Sequence, residues 1–312
     1  RRPTTLGDMG SRFDVSGLSE RLGAVAEGGG IVDTMVTVPS SRDDWQHTFA
    51  GLVKDEASAD LEHPAGYLFT DLPEVDGQVD YIAYLVAEMD RFGIGRALLP
   101  VAEDDVFGRR GVATHPNRLH GVVLADPHQG SATTGMIRRM AAAGQIVAVA
   151  VFPSGLLPPL APDSPQLYPI HAVCCELGLP ILINVGVPGP RFPMASQHVK
   201  ALDRVCHDFP DLRIVTRHGG EPWEELLVKL MLKWPNLHYS TSAFAPKHYP
   251  QAIVDYANTR GADRIIYAGY FPSGLSLERI FAELPLVGFR NEVWPAFLRT
   301  NAMRVFGLDD ST

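Results

Sequence analysis

Little in this chain fixes a function outright, and what it lacks removes several classes at once. Its three cysteines, Cys174, Cys175 and Cys206, are too few for a disulfide framework and form no Cys-x-x-Cys pair. They read as small buried core residues of a protein kept reduced, so a cytoplasmic location is expected. No apolar run approaches the ~18 residues that a membrane crossing requires. Lys and Arg number 27 against 36 Asp and Glu, for a net charge of −9, and they do not cluster. That balance leaves no basic footprint for nucleic acid or for an anionic membrane surface. The opening RRPTTLGDMGSRF is basic but lacks an apolar stretch, so it is not a complete signal peptide, and the absence of a first Met leaves room for an upstream segment. Low-complexity segments are absent too.

What is present is a core-forming chain of 312 residues, 46% of them apolar, enough for one large domain. Eight short apolar runs alternate with helical patterns: IVDTMV (31–36), RALLP (96–100), HGVVLAD (120–126), IVAVAVF (146–152), PILIN (180–184), RIVTR (213–217), LHYS (237–240) and RIIYA (264–268). That rhythm predicts an α/β fold, a single-domain (β/α)8 TIM barrel over residues 31–312 behind an N-terminal arm, 1–30. Within DGQVDYIAYLVAEMDRFG, the spacing of Val79, Ile82, Ala83, Val86 and Met89 predicts one buried helical face, with Gly93 as the stop. WEELLVKLMLKWPN predicts a second amphipathic helix halted by Pro235. Between the first strand and its helix lies an insertion, 40–75, whose Trp45, Phe49, Tyr67 and Phe69 are too many aromatics for a solvated linker. It is expected to act as a lid or a dimer contact, and the lid is favoured because the insertion leaves the end of the barrel where chemistry is done.

The most informative stretch is RIVTRHGGEPW (213–223). The β-branched Ile214, Val215 and Thr216 suit a buried parallel strand, and Gly219 and Gly220 suit the turn that follows. His218 therefore falls at a strand's C-terminal end, and imidazole, with an ordinary pKa of about 6.5, suits proton transfer. In NVGVPGPRFPMASQH, Arg191 sits between prolines and is a candidate anchor for a substrate carboxylate, which a guanidinium grips with two hydrogen bonds. Arg217 and Glu221 flank His218. Strand alternation directs Arg217 to the face opposite His218, so a structural ion pair competes there with a site role. Phe152 and Ser154 in FPSG offer a wall and a polar contact; Ser240, Thr241 and Ser242 offer hydroxyls.

The ordered motifs IVDTMVTVP, HPNRLHGVVLADP, PILINVG, RIVTRHGGEPW, LHYSTSAFAP, RIIYAGYFP and FLRTNAMRVFGL cover most of 31–308. In that order they resemble the amidohydrolase family that includes aminocarboxymuconate-semialdehyde decarboxylase and the related resorcylate and salicylate decarboxylases. The resemblance implies a barrel enzyme with a divalent metal at its mouth, and here the sequence departs from the family. The family's His-x-His positions on the first strand are Met35 and Thr37, its fifth-strand His is Asn184, and its eighth-strand Asp is Tyr270. Only His218 matches, although the flanking Asp33, Gly186, Gly219 and Pro272 do. One imidazole, an amide, a phenol and a thioether do not make the three- or four-donor set that a zinc-type site requires. No metal and no cofactor are therefore expected, unless His128, His198 and His248 are recruited from loops.

The resulting expectation is a metal-independent enzyme, a lyase or hydrolase of the amidohydrolase superfamily, acting on a small carboxylated or aromatic molecule. Decarboxylation, hydration or carbon–carbon cleavage suits it better than amide hydrolysis, since no metal generates hydroxide. His218 moves protons, Tyr270 and Asn184 polarise an oxygen, and Arg191 holds an anion, with Phe152, Ser154, Met35, Thr37, Arg217, Glu221 and Ser240 lining the site. Two alternatives stand beside it: a metal-dependent hydrolase or decarboxylase with recruited ligands, and a non-catalytic binding protein that kept the pocket. A small-molecule substrate is the expected partner, with no nucleic acid and no membrane. The resemblance adds a homodimer.

Overall fold

Each of the eight apolar runs forms a strand beside its sequence neighbour, as short crossover helices dictate for parallel pairing. In the computed structural model, which describes residue 25 and residues 28–38, 42–69, 72, 73, 75 and 80–308, the strands are β1 Ile31–Asp33, β2 Ile94–Val101, β3 Leu119–Leu124, β4 Ala148–Val151, β5 Ile181–Asn184, β6 Ile214–Arg217, β7 Leu237–Ser240 and β8 Ile265–Ile266. They form one parallel sheet in chain order. Its two edges meet through irregular backbone: Thr34 N–H donates to Tyr267 O (3.2 Å), Thr37 N–H to Phe271 O (2.8 Å) and Tyr270 N–H to Met35 O (2.8 Å), with a parallel bridge between Val36 and Phe271. The fold is the (β/α)8 TIM barrel in one domain.

Strand alternation sorts the core into two layers. Val32, Leu98, Val122, Ala148, Ala150, Leu182, Val215 and Ile266 face inward and pack with Ala302, Val305, Phe306 and Leu308. The last group belongs to the C-terminal helix Asn301–Phe306 and the residues after it. That helix lies at the N-terminal ends of the strands, where Arg213 reaches the Arg304 carbonyl (3.3 Å) and Arg96 approaches the Met303 sulfur (3.8 Å). The opposite strand faces pack against the outer helices.

The helix Tyr81–Arg91 is capped by Asp80, whose side chain accepts from the Ile82 and Ala83 N–H groups. Its buried face is Tyr81, Ile82, Leu85 and Met89, a correction to the expected stripe. Ala83 is exposed and Val86 half-buried, because the stripe turns toward Tyr81, which is anchored by its hydroxyl on Thr37 O (2.5 Å). Val79 lies outside the described residues. The helix Glu224–Lys233 ends before Pro235 as expected.

The insertion after β1 folds into helices Arg42–Thr48 and Glu56–Ala59 and a 3-10 turn, Gly66–Leu68. Trp45 is buried, its indole donating to Glu62 O (3.2 Å). Phe49 packs on Phe152 and Phe192 (5.8 and 5.4 Å between centroids), and Phe69 on Tyr270 (6.1 Å). Tyr67 donates to Gly189 O (2.7 Å). These contacts seat the insertion on the loops after β4, β5 and β8, at the C-terminal ends of the strands.

Candidate active site

Strand β6 leaves the barrel through two unusual residues. Val215 faces the interior, so Arg217, two positions on, faces it too. His218 then takes a left-handed backbone, φ 62°, which breaks the alternation and swings the imidazole to the same opening. The expected opposite facing of Arg217 and His218 is thereby corrected, and the structural ion pair weighed against a site role for Arg217 does not form. Among the described residues no carboxylate holds its guanidinium, and its buried Nε has no hydrogen-bond partner. Asn184 ends β5 in register with Arg217, two positions beyond the inward-facing Leu182.

Tyr270 reaches the same place from the loop after β8, also with φ 62°. Its ring meets His218 edge-on, with centroids 5.2 Å apart. Left-handed backbone costs a β-branched or bulky residue energy and is often kept where function needs the side chain's direction. The Ser242 hydroxyl sits 3.3 Å from His218 Nδ1 and accepts the His218 backbone N–H (3.0 Å). Nδ1 is thus occupied and Nε2 is the nitrogen left to face the opening. Asn184, Arg217, His218 and Tyr270 are each partly buried yet retain an accessible edge, as groups lining a cleft do, while Ser242 is fully buried behind the imidazole.

Burial sets the charges. It is the main force pushing His218 down to about 3, with the Arg217 charge adding to it and the Ser242 contact opposing. The ring is therefore neutral at physiological pH, and the near-neutral titration expected from an unperturbed imidazole does not hold. Tyr270 is pushed up to about 12 by burial, with Arg217 opposing, so the phenol keeps its proton. Arg217 is lowered to about 10 by burial and stays cationic.

The other expected site residues divide. Met35 is half-buried, its carbonyl taken by Tyr270. Thr37 knits the barrel seam: its hydroxyl contacts Ser273 (2.7 Å) and Phe271 O (3.2 Å). Phe152 stands beneath the insertion against Phe49 and Phe192. Ser154 is fully buried, donating to Pro193 O (2.8 Å), and Ser240 is equally buried, donating to Thr216 O (2.8 Å). Neither hydroxyl reaches the opening. Glu221 is exposed, and its carbonyl accepts from Val187 (2.9 Å). Gly186, at φ 87°, lets that loop close, since a Cβ there would lie 2.9 Å from Glu221 backbone. Arg191 points to the insertion: its guanidinium lies 4.8 Å over the Tyr67 ring and 3.5 Å from the Asp55 carboxylate. In the sequence Ser242 is only one of a run of three hydroxyl residues, which does not say which one meets the histidine, and Phe69 is only one of the insertion's aromatics.

A cleft of about 570 Å3 opens elsewhere, at the N-terminal ends of β3 and β4, lined among others by Arg109, Arg110, His120 and Gln145. It shares no residue with the strand-end group.

An eight-stranded parallel barrel whose ionisable side chains gather at the strands' C-terminal ends has the layout of a barrel enzyme. A family model described as amidohydrolase matches residues 56–308, so the chain belongs to the amidohydrolase family and is an enzyme of that superfamily. No curated protein matches it. Solved structures share its fold. An uncharacterised TIM-barrel protein from Bordetella bronchiseptica is 20% identical at a TM-score of 0.67, covering 89% of this chain and 98% of its own. A 5-carboxyvanillate decarboxylase from Novosphingobium aromaticivorans, complexed with manganese and 4-hydroxy-3-methoxy-5-nitrobenzoic acid, is 16% identical at 0.65, covering 90% and 97%. A probable 2-pyrone-4,6-dicarboxylic acid hydrolase from Acinetobacter baumannii, with citric acid bound, is 14% identical at 0.62, covering 89% and 99%.

The residues here do not fit the divalent metal that the family implies. Among the described residues no three His, Cys, Asp or Glu side chains gather. His128 contacts Pro158 O (2.9 Å), His198 stacks on Trp223 and His248 is exposed, so the loop histidines do not converge. Asp33 is fully buried, its Oδ1 accepting from Met35 and Gly269 (3.0 and 2.9 Å). A fixed guanidinium among the remaining donors repels a cation.

Proposed function

We propose that this enzyme works without a metal, by acid–base chemistry on a small carboxylated or aromatic molecule, in a reaction of the decarboxylase, hydratase or carbon–carbon lyase type. The observation that carries this reading is the edge-on pair of His218 and Tyr270 beside Arg217. Burial keeps both rings neutral, so at the same pH the imidazole has a lone pair to accept a proton and the phenol has a proton to donate. His218 Nε2 takes the proton, Ser242 holds the ring by Nδ1, and the Tyr270 hydroxyl with the Asn184 amide bonds a developing oxyanion. The insertion, resting on the loops around this opening, serves as a lid that excludes water. Two structural relatives whose bound ligands are carboxylic acids agree with the substrate class.

The test is turnover of a panel of carboxylated aromatics by the purified protein with and without chelator. Product formation indifferent to the chelator and lost in His218→Asn is expected. Binding without product across the panel would favour the non-catalytic alternative, and activity that disappears with the chelator would favour the metal-dependent one.

A further inference from the structure

Most arginines described in this chain have a visible task. Arg91, Arg118, Arg139, Arg204 and Arg279 each pair with a carboxylate. Arg217 does not. Its Nε is sealed from solvent with no partner. Among the described residues, the one acidic group close enough to affect its charge is the Tyr270 phenol, which is neutral at physiological pH because burial pushes it up to about 12. Holding a guanidinium in such a place without a counter-ion is costly, and removing it from a stable fold should relieve that cost. Structural arginines are kept where they meet a partner; this one meets none among the described residues.

The surroundings describe the absent partner. The terminal nitrogens are neither sealed nor hydrogen-bonded among the described residues, so they keep access to the opening. Asn184 lies beside Arg217 in register, and the neutral His218 follows it. An aromatic wall formed by Tyr270 and Phe69, centroids 6.1 Å apart, rises from the same mouth. A planar fork of donors below and aromatic faces at the side suit a carboxylate carried on a flat ring.

We infer that Arg217 is an anion-binding residue that grips the carboxylate of a small planar organic acid, its charge standing among the positions where the family places a metal. This assignment rests on the proposed function only in sharing its opening, and its test reads binding without turnover.

Benzoate, its neutral isostere benzamide, and acetate are titrated into the protein by calorimetry and thermal shift. Saturable benzoate binding is expected, with benzamide and acetate each about tenfold weaker or worse, as losing a charge-assisted pair or the ring contact implies. Arg217→Gln and Arg217→Met should each weaken benzoate by at least about tenfold while melting no lower than the parent. Benzoate and benzamide binding alike, benzoate binding that survives Arg217→Gln, or no saturation by benzoate would overturn the assignment. Should both Arg217 variants fail to fold, the benzoate preference is measured in Arg191→Gln: kept, it supports Arg217, and lost, it moves the charge to Arg191. Benzoate held through Arg217 with no turnover of any acid would defeat the proposed reaction and leave this site standing.

Discussion

His218 and Tyr270 approach one another from the loops after β6 and β8, each on a left-handed backbone at φ 62°, with ring centroids 5.2 Å apart. Left-handed geometry costs an L-residue on the order of 1–2 kcal/mol, and it is imposed twice around one contact. Of the side chains that could replace His218, Asn is among those that tolerate this backbone most readily. His218→Asn is therefore expected to keep the turn and the fold while cutting turnover ~100- to 10,000-fold, the usual contribution of a positioned acid or base. Turnover measured beside thermal melting decides it. A variant that stays folded and fully active would place the proton chemistry elsewhere.

Chelation should change nothing. With Met35, Thr37, Asn184 and Tyr270 where the resemblance places the family's ligands, and Arg217 charged at the same opening, purified protein is expected to carry no stoichiometric divalent metal. EDTA should leave melting temperature and activity as they were. One equivalent of manganese or zinc by elemental analysis, removed together with activity, would refute this.

Arg191 offers a separate experiment because its partners belong to the insertion. Its side chain is 42% exposed and its contact with Asp55 is long, so solvent screens the pair and it adds little to global stability. Removing the guanidinium also removes a face-on contact with Tyr67. Arg191→Ala should leave the melting temperature within a few degrees of the parent but speed proteolytic nicking and amide exchange over residues 52–69. Unchanged exchange there would separate Arg191 from any latch on the insertion.

All eight strands were legible because a strand buried on both faces is written as a short β-branched run, and the helices between them carry their own periodicity. Site geometry was less legible. Whether Arg217 faces the same way as His218 depends on where alternation stops, and it stops at a left-handed residue that no local pattern announces in a non-glycine. The pull on the imidazole comes from burial by residues distant in sequence, so an unperturbed value was the wrong guide. Arg191, between prolines, looked like a rigid anchor; its partners Asp55 and Tyr67 lie more than a hundred residues earlier and become visible only in three dimensions.

Acid stability gives the last prediction. His238 on β7 lies in register with the inward-facing Val215, is 2% exposed, and among the described residues has no well-formed hydrogen bond at either ring nitrogen. Burial first, then the charges of Arg304 and Arg264, bring it down to about 4, with a weak contact to the Ile214 backbone and the Asp263 charge opposing. In the unfolded chain the same ring titrates near about 6.5. Between those values the unfolded chain binds a proton that the folded chain does not, so stability rises with pH there. The contribution is intact above about pH 6.5, falls as pH drops, and levels off below the folded value, at a cost of up to ~3 kcal/mol. His238→Leu replaces the ring with an apolar side chain that has nothing to titrate. The variant should lose less melting temperature than the parent between about pH 7.5 and pH 5, whatever its stability at the upper value. His171, also buried and brought down to about 4, keeps its own share of the acid limb, so the slope should shrink without vanishing. Parallel melting curves for parent and variant across that range would show that His238 is not among the groups that titrate on unfolding.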